Sequence, residues 1–136
     1  MEKRRTHDTA REEAAHGMRA EHAKKVMLEE SMLEETCNIF KMLAEPSRLK
    51  IVMALLEGEM CVYHIVNAVE GKQSAVSHQL RILKDGGVIR ARRNGQNVVY
   101  SIADEHIAQM VAIGVEHARC ETENRAGNQS QAKAAK

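Results

Sequence analysis

Four side chains in the last third of the chain, Asp104, His106, His117 and Cys120, supply a carboxylate, two imidazoles and a thiol, the donor types that hold zinc tetrahedrally. His117 and Cys120 are three residues apart and share one helix face, and Asp104 lies within reach of His106. The two histidines are eleven residues apart, so at ~100° per residue they point the same way, yet at ~1.5 Å rise they stand about 16 Å apart along one helix. One ion cannot bridge them within a chain. An antiparallel pairing of this helix with its copy brings Asp104 and His106 of one chain to His117 and Cys120 of the other. Two-fold symmetry then generates two equivalent four-ligand sites. Gly114 and Ala118 are small enough to permit the close approach. Such a set suits Zn2+, with Co2+ or Cd2+ as competitors.

A second pair, Cys61 and His64, is also three residues apart, on a short helix expected from Met60 to Val69, and offers two further ligands. His7, His16 and His22 lie in a charged amino-terminal stretch where histidines are ordinarily solvated, though they are further ligand types for a second site. Cys37 reads as a small buried hydrophobe. Three cysteines without a disulfide-framework spacing point to reduced thiols and a cytoplasmic setting.

The elements that position these residues are mostly helical. From about Glu21 to Leu43 the pattern is helical, with Met32, Leu33, Ile39, Phe40 and Leu43 as its buried stripe. Ala44-Glu45-Pro46-Ser47 breaks it, since proline suits the first turn of a new helix. That helix, Pro46 to Glu57, carries Leu49, Ile51, Val52, Leu55 and Leu56 and belongs to the core. Gly58 ends it; the short helix to Val69 and the turn at Gly71 follow.

Lys72 to Ile102, KQSAVSHQLRILKDGGVIRARRNGQNVVYSI, contains the reading element. Ala75, Val76, Leu80, Ile82 and Leu83 recur at helical spacing, and Ser74 or Ser77 is available to cap the first turn. The opposite face presents Gln73, Ser74, Ser77, His78 and Arg81, side chains suited to phosphates and base edges. With the preceding short helix this makes a helix-turn-helix whose second member enters a major groove. Asp85-Gly86-Gly87 supplies a glycine stop, and VIRARR and QNVVYSI form a hairpin whose Asn94-Gly95 predicts a type I′ turn. Arg90, Arg92 and Arg93 near its tip make it a cationic wing against a phosphate backbone. The last helix, Asp104 to about Glu121, starts with Asp104 as cap and carries Ile107, Met110, Val111, Val115 and Ala118.

The fold expected is mainly α with a β-hairpin wing, a dimeric winged helix-turn-helix of order α-α-α-α-β-β-α. Residues 1–20 read as a flexible charged arm or a frayed helix start, 21–122 as the DNA-binding and dimerisation domain, and 123–136 as a disordered tail. One Phe, two Tyr and no Trp in 136 residues leave the core to aliphatic side chains. The net charge of +1 hides acidic residues in the early helix and arginines in the wing, so global charge does not decide the partner. No run of about 18 apolar residues marks a membrane span. Neither a Gly-rich phosphate loop nor a nucleophile-base-orienter pattern suggests an enzyme, and no small organic substrate is expected.

From about Phe40 to Cys120 the chain resembles the ArsR/SmtB family of bacterial metal-sensing repressors. FKMLAEPSRLKIVMALL precedes the reader, EMCVYHIV stands at the metal-box position, QSAVSHQLRILKDGGVIRARRNGQNVVYSI is the recognition helix and wing, and Asp104, His106 and His117 have the spacing of the family's zinc-sensing last-helix site. The resemblance implies a homodimer that binds operator double-stranded DNA when metal-free and releases it when metal binds at the last-helix pair. At the fourth ligand position the zinc sensors carry histidine or glutamate, whereas this chain has Cys120 followed by Glu121, either of which closes the site. The family's soft-metal site draws cysteines from the box and the amino-terminal arm; here the box holds Cys61, Tyr63 and His64 and the arm has no cysteine. A different chemistry on the same fold is a thiol-redox or persulfide-sensing repressor using Cys37 and Cys120, which leaves the Asp104, His106 and His117 spacing without a role.

Overall fold

The computed structural model describes the backbone of residues 2–134 and the side chains of residues 6–130. In chain order the elements are α1 (Glu2–Val26), α2 (Glu30–Leu43), α3 (Pro46–Leu55), β1 (Met60–Cys61), α4 (Val62–Val69), α5 (Gln73–Asp85), β2 (Ile89–Asn94), β3 (Asn97–Ile102) and α6 (Glu105–Ala134). They divide into two units, one ending at Cys37 and the other beginning at Asn38, so the division falls inside α2.

The second unit carries the core. Ile51, Val52 and Leu55 of α3, Ile65 of α4, Val76, Leu80 and Leu83 of α5, Val88 and Ile89 at the start of the wing, and Ile107 and Val111 of α6 form one buried cluster with Leu43. Aliphatic side chains at helical spacing on α3, α4 and α5 pack the helix-turn-helix from within, leaving the polar face of α5 outward. Pro46 opens α3, and Glu45 caps it: its carboxylate accepts the Arg48 backbone N–H at 2.9 Å. Those hydrogen bonds, from Arg48 first and Ser47 next, hold the Glu45 carboxyl below the usual carboxylate range. The resulting stability is fully present above the unfolded carboxyl pKa of about 4.3 and is lost as pH falls through the lower folded value. Glu45→Gln is therefore expected to lower the thermal midpoint at neutral pH and to match wild type at the acid end of a pH series of melts.

Several elements differ from those read from the sequence. The helix expected over 21–43 is two helices, because 27–29 leave helical geometry. Residues 2–20, expected as a flexible arm or a frayed helix start, are helical in α1, and residues 123–134, expected as a disordered tail, continue in α6. Both stretches are rich in Ala, Glu, Gln, Lys and Arg, strong helix formers that need no apolar stripe to adopt the conformation.

The stripe assigned to the first helix is only partly inward. Leu43 is buried and Ile39 half-buried, whereas Met32, Leu33 and Phe40 are 51%, 46% and 56% exposed. Cys37, read as a buried hydrophobe, is exposed.

Met60 and Cys61, expected on a helix, form β1, which pairs antiparallel with β3 through Met60↔Tyr100 and Cys61↔Val99. The wing is thus a three-stranded sheet of order β1-β3-β2. Between α4 and α5 the left-handed residue is Glu70, at φ 54°, not Gly71. Gly71 sits in a tight place: a Cβ there would lie 3.1 Å from a Val76 methyl and 3.3 Å from a Val69 methyl, so a larger residue needs one of these side chains to shift.

The residue capping α5 is Lys72, without a side-chain hydrogen bond, so neither Ser74 nor Ser77 serves and both keep their hydroxyls for the outer face. At the other end Gly86 stays right-handed and Gly87, at φ 75°, makes the reversal. The hairpin register also shifts by one residue. Asn94 pairs with Asn97, so Gly95 and Gln96 are the loop. Positive φ falls on Gly95 alone, as a type II′ turn requires, where Asn94-Gly95 had predicted type I′.

Candidate nucleic-acid interface and metal-ligand positions

The outer face of α5 presents Gln73, Ser74, Ser77, His78 and Arg81, all solvent-exposed, while Val76, Leu80 and Leu83 on the opposite face are no more than 4% exposed. A helix rigidly anchored on one side and lined with short polar side chains on the other can enter a major groove without rearranging.

The wing contributes less free charge than its composition suggests. Arg90 and Arg93 are exposed, but Arg92 donates to Glu59 through both Nη2, at 2.6 Å, and Nε, at 3.4 Å. Pairing β1 against β3 brings Glu59, the residue before β1, to the arginine of β2. A contact across more than thirty residues has no local signature, although Glu59 beside a strand-like Met-Cys step was the available hint.

Next to this ion pair, Cys61 caps α4 from an extended conformation and its Sγ lies 3.1 Å from His64 Nδ1. The thiol is held below its ordinary range first by the His64 backbone N–H and then by the His64 ring; no full capping hydrogen bond forms. Tyr63 stacks edge-on against the same ring, with centroids 5.4 Å apart. The two side chains are in contact, but as the N-cap and third residue of α4 and not as two members of one helix face.

At the head of α6, Asp104 Oδ1 accepts the Ile107 backbone N–H at 3.0 Å and lies 3.7 Å from His106 Nδ1. The cap that starts the helix thus also orients one carboxylate beside one imidazole. His117, Cys120 and Glu121 stand further along α6, all exposed. Among the described residues no three His, Cys, Asp or Glu side chains of one chain are grouped to hold a metal. The donor types nonetheless suit such an ion: a capped carboxylate with an imidazole 3.7 Å away at one end of the helix, and an imidazole, thiol and carboxylate further along it, each group short of the four ligands zinc requires.

Beside these groups runs an apolar groove lined by Phe40, Leu43, Met110, Gly114, Val115 and Ala118. Leu43 and Val111, both buried, line it on the core side, and Phe40 is exposed.

Sequence reading missed Arg48. Its Nε donates to the Met42 carbonyl at 2.8 Å, Nη2 to the Lys41 carbonyl at 3.5 Å and Nη1 to Gln79 Oε1 at 3.4 Å. A cation in the first turn of a helix opposes the macrodipole, and that anomaly was the legible signal of a tertiary role.

A helix-turn-helix with a three-stranded wing and an outward polar recognition helix defines the winged helix-turn-helix class of DNA-binding proteins. The profile described as "Bacterial regulatory protein, arsR family" matches residues 45–91. Over 105 residues the chain is 36% identical to a cadmium resistance transcriptional regulatory protein CadC homolog of Staphylococcus aureus, covering 76% of this chain and 86% of that protein. It is 40% identical over 84 residues to a transcriptional repressor SmtB homolog of Synechocystis sp., covering 62% of this chain and 64% of that one. Among solved structures, a homodimeric winged helix-turn-helix DNA-binding domain of a possible ArsR-family regulator from Mycobacterium bovis superposes with a TM-score of 0.65 at 30% identity, covering 73% of this chain and 94% of that domain. The chain belongs to the ArsR/SmtB family of bacterial regulatory proteins. No helix among the described residues is long and apolar enough to cross a membrane.

Proposed function

We propose that the protein is a homodimeric, metal-responsive transcriptional repressor. It binds operator DNA through Gln73, Ser74, Ser77, His78 and Arg81 of α5 and through the wing arginines, Arg93 directly and Arg92 to the extent that it leaves its ion pair with Glu59. Zinc, with cobalt or cadmium as competitors, releases it by binding Asp104 and His106 of one protomer together with His117 and Cys120 of its partner. The observation that carries this reading is the Asp104 carboxylate, held by the α6 cap 3.7 Å from the exposed His106 imidazole and near an uncovered apolar groove. A second copy laid antiparallel along that groove covers Phe40 and completes both ligand sets. The repressor named among the relatives and the homodimeric state of the Mycobacterium bovis domain support the same assignment.

The deciding experiment is binding of a duplex selected from a random pool, measured under reducing conditions with chelator and then with zinc, cobalt, cadmium or nickel. Tight binding with chelator and release by zinc supports the proposal; binding indifferent to every metal removes the sensor. Metal stoichiometry of the reduced protein separates the thiol-redox alternative, in which Cys37 and Cys120 act: about two ions per dimer favours the metal reading.

The fourth ligand has its own test. Cys120 sits three residues after His117, and a thiolate is a stronger zinc donor than the Glu121 carboxylate. The cobalt-loaded protein is expected to show a sulfur-to-metal charge-transfer band that Cys120→Ser abolishes and Glu121→Gln preserves. A band lost with Cys61→Ser instead would place the metal at the Cys61–His64 pair.

The wing reading gives another expected result. Glu59 holds Arg92 away from phosphate at the cost of an exposed ion pair worth at most ~1 kcal/mol, so Glu59→Gln should tighten DNA binding by about two- to fivefold. It should also steepen the salt dependence by about one phosphate contact. Unchanged affinity and slope in a fluorescence titration across salt would show that Arg92 stays off the backbone.

A further inference from the structure

We infer that Arg48 is a positioning residue that fixes the separation of the two recognition helices in the dimer. The inference rests on the proposed DNA-binding homodimer. It starts from a guanidinium that fastens three helices at once. From the first turn of α3, Arg48 satisfies two carbonyls at the end of α2, those of Met42 and Lys41, which have no partner within their own helix. The same guanidinium reaches Gln79 on α5. A cation at the C-terminal end of α2 is favoured by that helix's dipole, which offsets its unfavourable place at the start of α3.

A second contact joins the same two helices. The Met42 side chain lies over Gly86 at the end of α5, occupying the space a Cβ would need there. The end of α2 is thus held to the middle of the recognition helix through Arg48 and to its C-terminus through Met42. Phe40 and Leu43, on the same last turns of α2, line the groove that faces α6. The element proposed to carry the subunit contact and the element reading DNA are therefore joined by two side chains, Arg48 through the α2 carbonyls and Gln79, and Met42 over Gly86. Lysine retains the charge but lacks the planar fork, so it cannot meet all three acceptors together.

The consequence is read in half-site spacing, a quantity that ordinary destabilisation does not alter. Symmetric duplexes selected from a random pool by the wild-type protein, with chelator present, are re-synthesised with the half-site centres moved by one or two base pairs. Wild type is expected to lose about tenfold in affinity per step away from the preferred spacing, because each step shifts and rotates one groove relative to the other. Arg48→Lys is expected to flatten this profile to about twofold per step while still recognising the same half-site sequence. Gln79→Leu, which leaves the α2 carbonyls bound, should flatten it partway, and Gln79→Glu, a stronger acceptor, should keep it steep. If Arg48→Lys fails to fold by thermal melt, Gln79→Leu decides alone. A wild-type spacing profile in the decisive variant overturns the inference. Selection of unpaired single half-sites by wild type would overturn both the dimeric reading and the role of Arg48.

Discussion

His117→Ala is expected to bind operator DNA in chelator with wild-type affinity and to keep that affinity when zinc is added. Wild type, by contrast, should lose about 5- to 150-fold on zinc addition, the range of a coupling free energy of ~1–3 kcal/mol. The two halves of this result have different causes. His117 is exposed on α6, away from the polar face of α5, so removing its ring deletes no proposed DNA contact and no core packing. A metal shifts an equilibrium only through its differential affinity for two conformers, so once a ligand is lost the response disappears even where residual metal binding remains. His106→Ala should behave alike, with one difference. Its neighbour Asp104 still caps α6 through Ile107, so the helix start survives. Asp104→Ala removes ligand and cap together and should add a fall in thermal midpoint. Fluorescence anisotropy titrations with and without zinc check all three; a His117→Ala protein still released by zinc would exclude α6 as the sensing site.

What the sequence disclosed about this site follows from the range over which its parts interact. Helical periodicity and a short polar face placed the recognition helix within two residues of α5, because those signals are local. The Asp104 cap was legible for the same reason. The Cys61–His64 pair was found by spacing, yet its setting was not: a two-residue strand pairing with Val99 and Tyr100 leaves no mark in the residues around it. The same pairing brought Glu59 to Arg92. The hairpin turn moved by one residue because Asn94-Gly95 fits two registers, and only the pairing of Asn94 with Asn97 chooses between them. Arg48 was hidden because three helices converge on it.

Exposure in α2 is a different kind of miss. Periodicity assigned Phe40 to the buried stripe, yet it is exposed in the single chain, and periodicity cannot say whether another chain covers it. That distinction yields the second expected result. Leu83 of α5 is fully buried in the core cluster, so Leu83→Ala should lower the unfolding free energy by about 2–5 kcal/mol, lost apolar transfer plus the cavity left behind. The loss should be the same at every protein concentration, since the cavity lies within one subunit. Phe40, more than half exposed, contributes little to the fold of a single chain. In the proposed dimer its ring is covered by the partner, so Phe40→Ala should act through subunit association and become more destabilising as the protein is diluted. Denaturant melts at several concentrations, paired with sedimentation, separate the two behaviours. A Phe40→Ala protein that stays dimeric throughout the dilution series would move the subunit contact away from the α2–α6 groove, and with it the pairing that brings His117 and Cys120 to the partner's Asp104 and His106.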